Sequence, residues 1–333
     1  MMSTKVAAQA TAIGSLPHRD PIAAAEFVLD ALRDLPAIPS LPQRSPLESM
    51  LAQGAVGISG VNVNRVGEID VRSGRLSLDA PIVTDLDHDA FTTFRTFLDV
   101  APSSLPAVKW QVTGPVTLGM ALWHLGGPID MVFDIAAKAV RGRIAALGAA
   151  VADALPRAEQ TIFIDEPALV GLTDMRFPLA VDYTIDLVST ALAAAEKIGV
   201  SGVHCCGHAD WGAVLAAGPS IISMPIDHSV VDVAARLNDF YERGGQVAWG
   251  VVPTDRPVSS QPHRYTRALN ELWDEMAMAG CDPTVMRMQS MVTPECGLAR
   301  HGESQMRQVL RLTSQIGDQV RHEILRDRYS LGA

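Results

Sequence analysis

The sequence predicts an α/β protein, a (β/α)8 barrel of the TIM type with one inserted β-hairpin. Three observations carry that prediction. Short β-branched runs alternate with longer Ala/Leu-rich runs along the chain, the pattern of a parallel sheet covered by helices. The 333 residues, 48% of them hydrophobic, exceed the usual domain size, and a barrel is the commonest way to keep such a length around one core. Almost every strand candidate ends in polar or reactive residues, and a barrel brings all those ends to one face. One domain over residues 1–333 is therefore expected.

The eight strands are expected near residues 11–15, 37–41, 108–113, 162–165, 202–206, 220–226, 247–252 and 285–292. Helices are expected between them, for example over 21–33, 181–198 and 264–279. Residues 66–79 break the alternation. There Ser73-Gly74 separates two alternating runs, EIDVR and RLSLD, which suggests the inserted hairpin. The strand ends carry Ser15, Thr113, Asp165-Glu166, His204-Cys205-Cys206, Asp227-His228, Thr254-Asp255 and Glu295-Cys296.

Bulk properties narrow the function. A net charge of −10 without clustered Lys and Arg does not suit nucleic acid. No uninterrupted apolar run reaches the length of a membrane span, and the first residues, MMSTKVAAQATAIGS, lack the apolar stretch of a secretion signal. Four cysteines in so long a chain are not a disulfide framework, and a cytoplasmic protein is expected.

The sharpest local feature is His204-Cys205-Cys206. Side chains alternate along a strand, so His204 and Cys206 share one face and Cys205 points toward the helices. An imidazole and a thiolate on one face suit Zn2+, and Cys296, at another strand end, can supply a third soft ligand. Cys205 and Cys281 read as buried structural thiols.

These residues, with others in the same order, resemble the catalytic barrel of cobalamin-independent methionine synthase and its short relatives. The matching motifs are Ala12-Ile13-Gly14-Ser15, Val108-Lys109, Thr113-Gly114-Pro115-Val116-Thr117, Ile164-Asp165-Glu166-Pro167-Ala168-Leu169, His204-Cys205-Cys206 and Thr293-Pro294-Glu295-Cys296-Gly297. The resemblance implies a zinc enzyme that moves a methyl group to a thiol such as homocysteine, with His204, Cys206 and Cys296 as ligands. The family's fourth ligand, a Glu, falls on Pro225, and Asp227 two residues later is the candidate oxygen ligand. The resemblance places Ser15 near the substrate's carboxylate and Asp165 on its ammonium group, with Glu166 beside it.

The chain also departs from the family's pattern. Gln43-Arg44-Ser45-Pro46 lacks a second amine-binding acid, for which nearby Glu48 is the candidate substitute. Asp255 stands about where the family has a proton-handling His. The implied methyl donor is a corrinoid protein or a folate. Trp110 and Trp123 are candidate stacking platforms for a ring, weighed against ordinary packing. Two other functions stay open on the same barrel: a metal-independent lyase like uroporphyrinogen decarboxylase, and a non-catalytic zinc- or thiol-binding protein.

Overall fold

The computed structural model describes residues 8–331, with side chains through residue 326. Strands β1 (Gln9–Ala10), β4 (Ala107–Thr113), β5 (Glu159–Asp165), β6 (Val200–His204), β7 (Ile221–Pro225), β8 (Gln246–Val252) and β9 (Ser290–Pro294) form one parallel sheet in the order β1-β9-β8-β7-β6-β5-β4. The short strands β2 (Val61–Val63) and β3 (Ile69–Val71) pair separately and antiparallel. The sheet's free edges, β1 and β4, are joined by residues 37–40 through isolated parallel bridges, Ser15 with Ser40 and Ala37 with Lys109. Those residues take the place of the barrel's second strand. Their irregularity has a local cause: Pro36, Pro39 and Pro42 recur every third residue and cannot donate to a ladder.

The barrel interior is a small core of its own, made of Leu35, Phe163, Ile221, Ala248 and Met291. Gly202 makes room for it, since a Cβ there would lie 3.0 Å from the Phe163 ring. Lys109 is also inside and fully buried. Its ammonium donates to Ile13 O and to Gln111 Oε1 at 2.9 Å, and lies 4.7 Å from the Phe163 ring centroid. Burial pushes its pKa from the usual 10.5 down to about 8, against the raising effect of Asp165. Between those two values the unfolded chain holds a proton that the native protein lacks, so stability rises as pH climbs through the window. We expect wild type to gain about 3 kcal/mol over Lys109→Met between pH 7.5 and 10.5, read by denaturant unfolding. An unchanged difference would show that burial does not lower the Lys109 pKa in the native state.

Two sequence expectations need correction. The hairpin exists, but its turn is Asn64-Arg65-Val66-Gly67 rather than Ser73-Gly74. Asn64 Oδ1 accepts from Val66 N and Glu68 N at 3.0 Å each, and Gly67 takes the positive φ (78°) that such turns need. EIDVR therefore supplies the second strand, and Ser73–Arg75 is a short 3-10 turn. The last barrel strand, β9, shares only residues 290–292 with the expected 285–292. Asp282 caps the helix Pro283–Met288 by accepting from Thr284 N and Val285 N, which turns Val285 into a helical residue.

Candidate metal centre

Register brings the chemistry together. Thr113 pairs with Asp165, Asp165 with His204, and His204 with Ser223, so four neighbouring strands contribute one row of polar residues at the carboxyl end of the sheet. Two residues beyond the end of β6 lies Cys206, and two beyond the end of β9 lies Cys296. One ligand atom each from His204, Cys206 and Cys296 lies within 4.8 Å of the others.

His204 is buried, and its Nδ1 lies 2.9 Å from Ser223 Oγ, which leaves Nε2 free to ligate. Cys206 and Cys296 are half-buried free thiols in hydrogen-bond contact, which lowers the pKa of Cys206 and, together with burial, raises that of Cys296. One imidazole and two thiols, with one ring nitrogen anchored, fit tetrahedral zinc with a fourth position open to a substrate. By contrast, Cys205 and Cys281 are buried, the former pushed up to about 11 by burial.

A cavity of about 1150 Å3 opens over this row. Ser15, Asp165, His204, Cys206, Asp255 and Cys296 all line it. Asp165 is 9% exposed, and its Oδ1 has no hydrogen-bond partner. Burial raises its pKa, while the Lys109 and His204 charges oppose the shift. Ser15 packs against Gly297, where a Cβ would lie 2.1 Å from Ser15 Oγ, so any side chain there would have to turn the Ser15 hydroxyl away. Asp255 sits at the exposed rim, 2.6 Å from Arg256.

Other predicted residues lie elsewhere. Both Glu166 oxygens are taken up at the start of the helix Pro115–His124, accepting from Val116 N (2.9 Å), Thr117 N (2.7 Å) and Thr117 Oγ1 (2.6 Å). Glu166 does not line the cavity. Its role is to satisfy the helix's free amides, and Glu166→Ala is expected to cost about 3 kcal/mol by stranding those buried donors. Thermal unfolding tests this; an unshifted Tm would refute it. Asp227 is not in the ligand group either. The strand ends at Pro225, and Asp227 Oδ1 instead accepts from Ser229 N at 2.8 Å. Glu48 is fully buried and accepts from Leu41 N, Arg44 Nε and Thr93, so it cannot stand in as a substrate-binding acid. Trp110 borders the cavity but is buried with its Nε1 donating to Gln160, whereas Trp123 packs on His124 away from the cavity lining.

Glu295, read from sequence only as a polar strand end, is half-buried, raised by burial, and 3.5 Å from Arg256; Arg300 and His301, which sequence reasoning does not single out, follow on the same loop and also line the cavity. Their neighbour Cys296 was the available signal, because any chain that delivers a ligand to the mouth carries its flanks there too.

A parallel barrel whose strand ends gather one imidazole and two thiols is a barrel built around a candidate metal centre. The model of the family described as cobalamin-independent synthase, catalytic domain, matches residues 47–319, and the chain belongs to that family. The structure is similar to that of a candidate vitamin-B12 independent methionine synthase from Listeria monocytogenes, with TM-score 0.60 and 14% identity over 95% of this chain and 99% of that one. It supports the fold alone. A fungal β-1,4-galactanase structure aligns with TM-score 0.33 and 12% identity, over 65% of this chain and 89% of the other, and carries no argument. No curated protein sequence matches the chain. Among the described residues no helix is long and apolar enough to cross a membrane.

Proposed function

We propose that this methionine synthase-like domain, acting as one unit over residues 1–333 in the cytoplasm, is a zinc-dependent methyltransferase with a small thiol as acceptor. The observation that carries this reading is the convergence of His204, Cys206 and Cys296 in a cavity shared with Asp165. Zinc held by those three residues supplies a Lewis acid that keeps a substrate thiol deprotonated near neutral pH, where a free thiol of pKa about 8.5 is mostly protonated.

The chain's own residues bind and orient. Ser223 holds the His204 ring. Asp165 receives the substrate's ammonium on its unpartnered Oδ1, and Ser15 lies on the carboxylate side. Asp255, held by Arg256, is the rim group that handles protons. A description as cobalamin-independent lends no support to a corrinoid protein as donor, and a folate-type methyl donor fits the family better. The test is a matrix of thiols against methyl donors, read by mass spectrometry on zinc-loaded protein. Methylated homocysteine from a methylated folate is the expected product. A protein that binds zinc yet methylates no thiol with any donor would overturn the reading.

A further inference from the structure

One wall of the cavity is formed by Ile13 and Ser15 after β1, by Ile38 and Ser40, and by Gln111 of β4. Gln111 alternates with Trp110 and Val112 and shares the inward face of its strand with Lys109. It pairs with Phe163 of β5, a residue of the interior core. Trp110 and Val112 are buried, whereas Gln111 is only half-buried. An inward-facing side chain meets solvent only through the barrel mouth, so its exposed surface belongs to the cavity.

The amide is held at both ends. Oε1 accepts from the Lys109 ammonium at 2.9 Å, and Nε2 donates to Ile38 O at 3.1 Å. An ammonium can only donate and a carbonyl can only accept, so these two bonds fix which end of the amide is nitrogen. Its position is set by Gly14, which has a positive φ (139°) and where a Cβ would lie 2.3 Å from Nε2. Nε2 carries two hydrogens, and among the described residues only Ile38 O accepts one. Lys109 donates to two neutral oxygens, Ile13 O and Gln111 Oε1, so a cation stands directly behind the amide. A bond from a cation to Oε1 polarises the amide and strengthens its remaining N–H as a donor. Asp165, on the neighbouring strand β5, gives the same cavity a carboxylate. The cavity thus has a negative side and a positive side, the arrangement that suits a zwitterion.

We propose that Gln111 is a specificity residue that donates its second Nε2 hydrogen to the carboxylate of the acceptor, so that the site prefers an α-amino acid thiol to a simple aminothiol; this rests on the thiol-acceptor reading above. Lys109 touches no substrate and is the positioning residue that orients and polarises the amide.

The test is calorimetric titration of zinc-loaded, full-length protein with homocysteine and with 3-aminopropanethiol, which is homocysteine without its carboxylate. Wild type is expected to bind homocysteine at least about 10-fold more tightly, the margin of one charge-assisted hydrogen bond. Gln111→Leu should cut that ratio at least about 10-fold by weakening homocysteine alone. Because this variant also loses the bonds to Lys109 and Ile38, Gln111→Glu serves as a second. It keeps the volume and the bond from Lys109 but has no N–H, and its charge should make homocysteine the weaker ligand of the two. A purely structural role for Gln111 would weaken both thiols together and leave the ratio alone. A wild-type ratio near unity, or a ratio unchanged in either variant, would overturn the proposal and leave the thiol reading standing. Failure of both thiols to bind wild type would overturn the two together.

Discussion

Cys206→Ser protein is expected to lose its zinc: metal analysis should read about one ion per chain in wild type and below about a tenth of that in the variant. The geometry gives the reason. Three ligand atoms lie within 4.8 Å of one another, and Asp227, the candidate fourth, is turned into its own loop. A three-ligand site has no spare donor, and serine is a poor replacement for thiolate. Thiol methylation should fall by about three orders of magnitude with the metal, since Lewis-acid activation is worth several kcal/mol. Cys281→Ala is the control, because that thiol is buried away from the mouth with its Sγ on Ala234 O. Full zinc occupancy in Cys206→Ser would defeat the assignment of the centre.

Asp165→Asn is expected to erase the preference for an amino-bearing thiol. The carboxylate is buried, and one oxygen has no partner among the described residues. An ammonium group placed there gains a charge-assisted hydrogen bond that a neutral thiol cannot make. Losing it costs about 1.5–3 kcal/mol, so the ratio of kcat/KM for homocysteine over an uncharged thiol of similar size should fall about 10- to 100-fold. With Glu48 committed to the Arg44 and Thr93 contacts, that second acid cannot rescue the preference. A ratio that is already near unity in wild type, or is unchanged in the variant, would show that Asp165 does not read the ammonium.

How much of this was legible beforehand follows from the range of each interaction. All eight strand positions overlap the observed strands or bridges, because a parallel strand covered on both sides is written in a few consecutive residues. The eighth begins too early, on residues that Asp282-Pro283, a cap followed by a first-turn proline, marks as helical. The H-x-C pair was legible from strand alternation, and although β6 ends at His204, the bend that follows still brings Cys206 to the same group. Glu166 was not, since its partners lie about fifty residues earlier and only the docking of the helix Pro115–His124 reveals them. Asp227 failed for a simpler reason: the two-residue period was extended past Pro225, where the strand stops. Ser223 needed the register of β6 against β7, which no single strand records.

The proline-interrupted segment between β1 and β4 gives the barrel a seam. Elsewhere its wall is a backbone ladder, broken only by a register shift between β8 and β9 among the described residues; here two bridges do that work, and side chains stitch the rest, with Thr11 Oγ1 on Leu35 O at 2.8 Å, Gln111 Nε2 on Ile38 O at 3.1 Å, and Lys109 on Ile13 O. A ladder opens only by cooperative rupture, whereas stitches can release one at a time. The cylinder therefore has a preferred line along which to breathe. That line runs beside Ser15, so the lip of the cavity that Ser15 lines is also the part of the wall most able to yield.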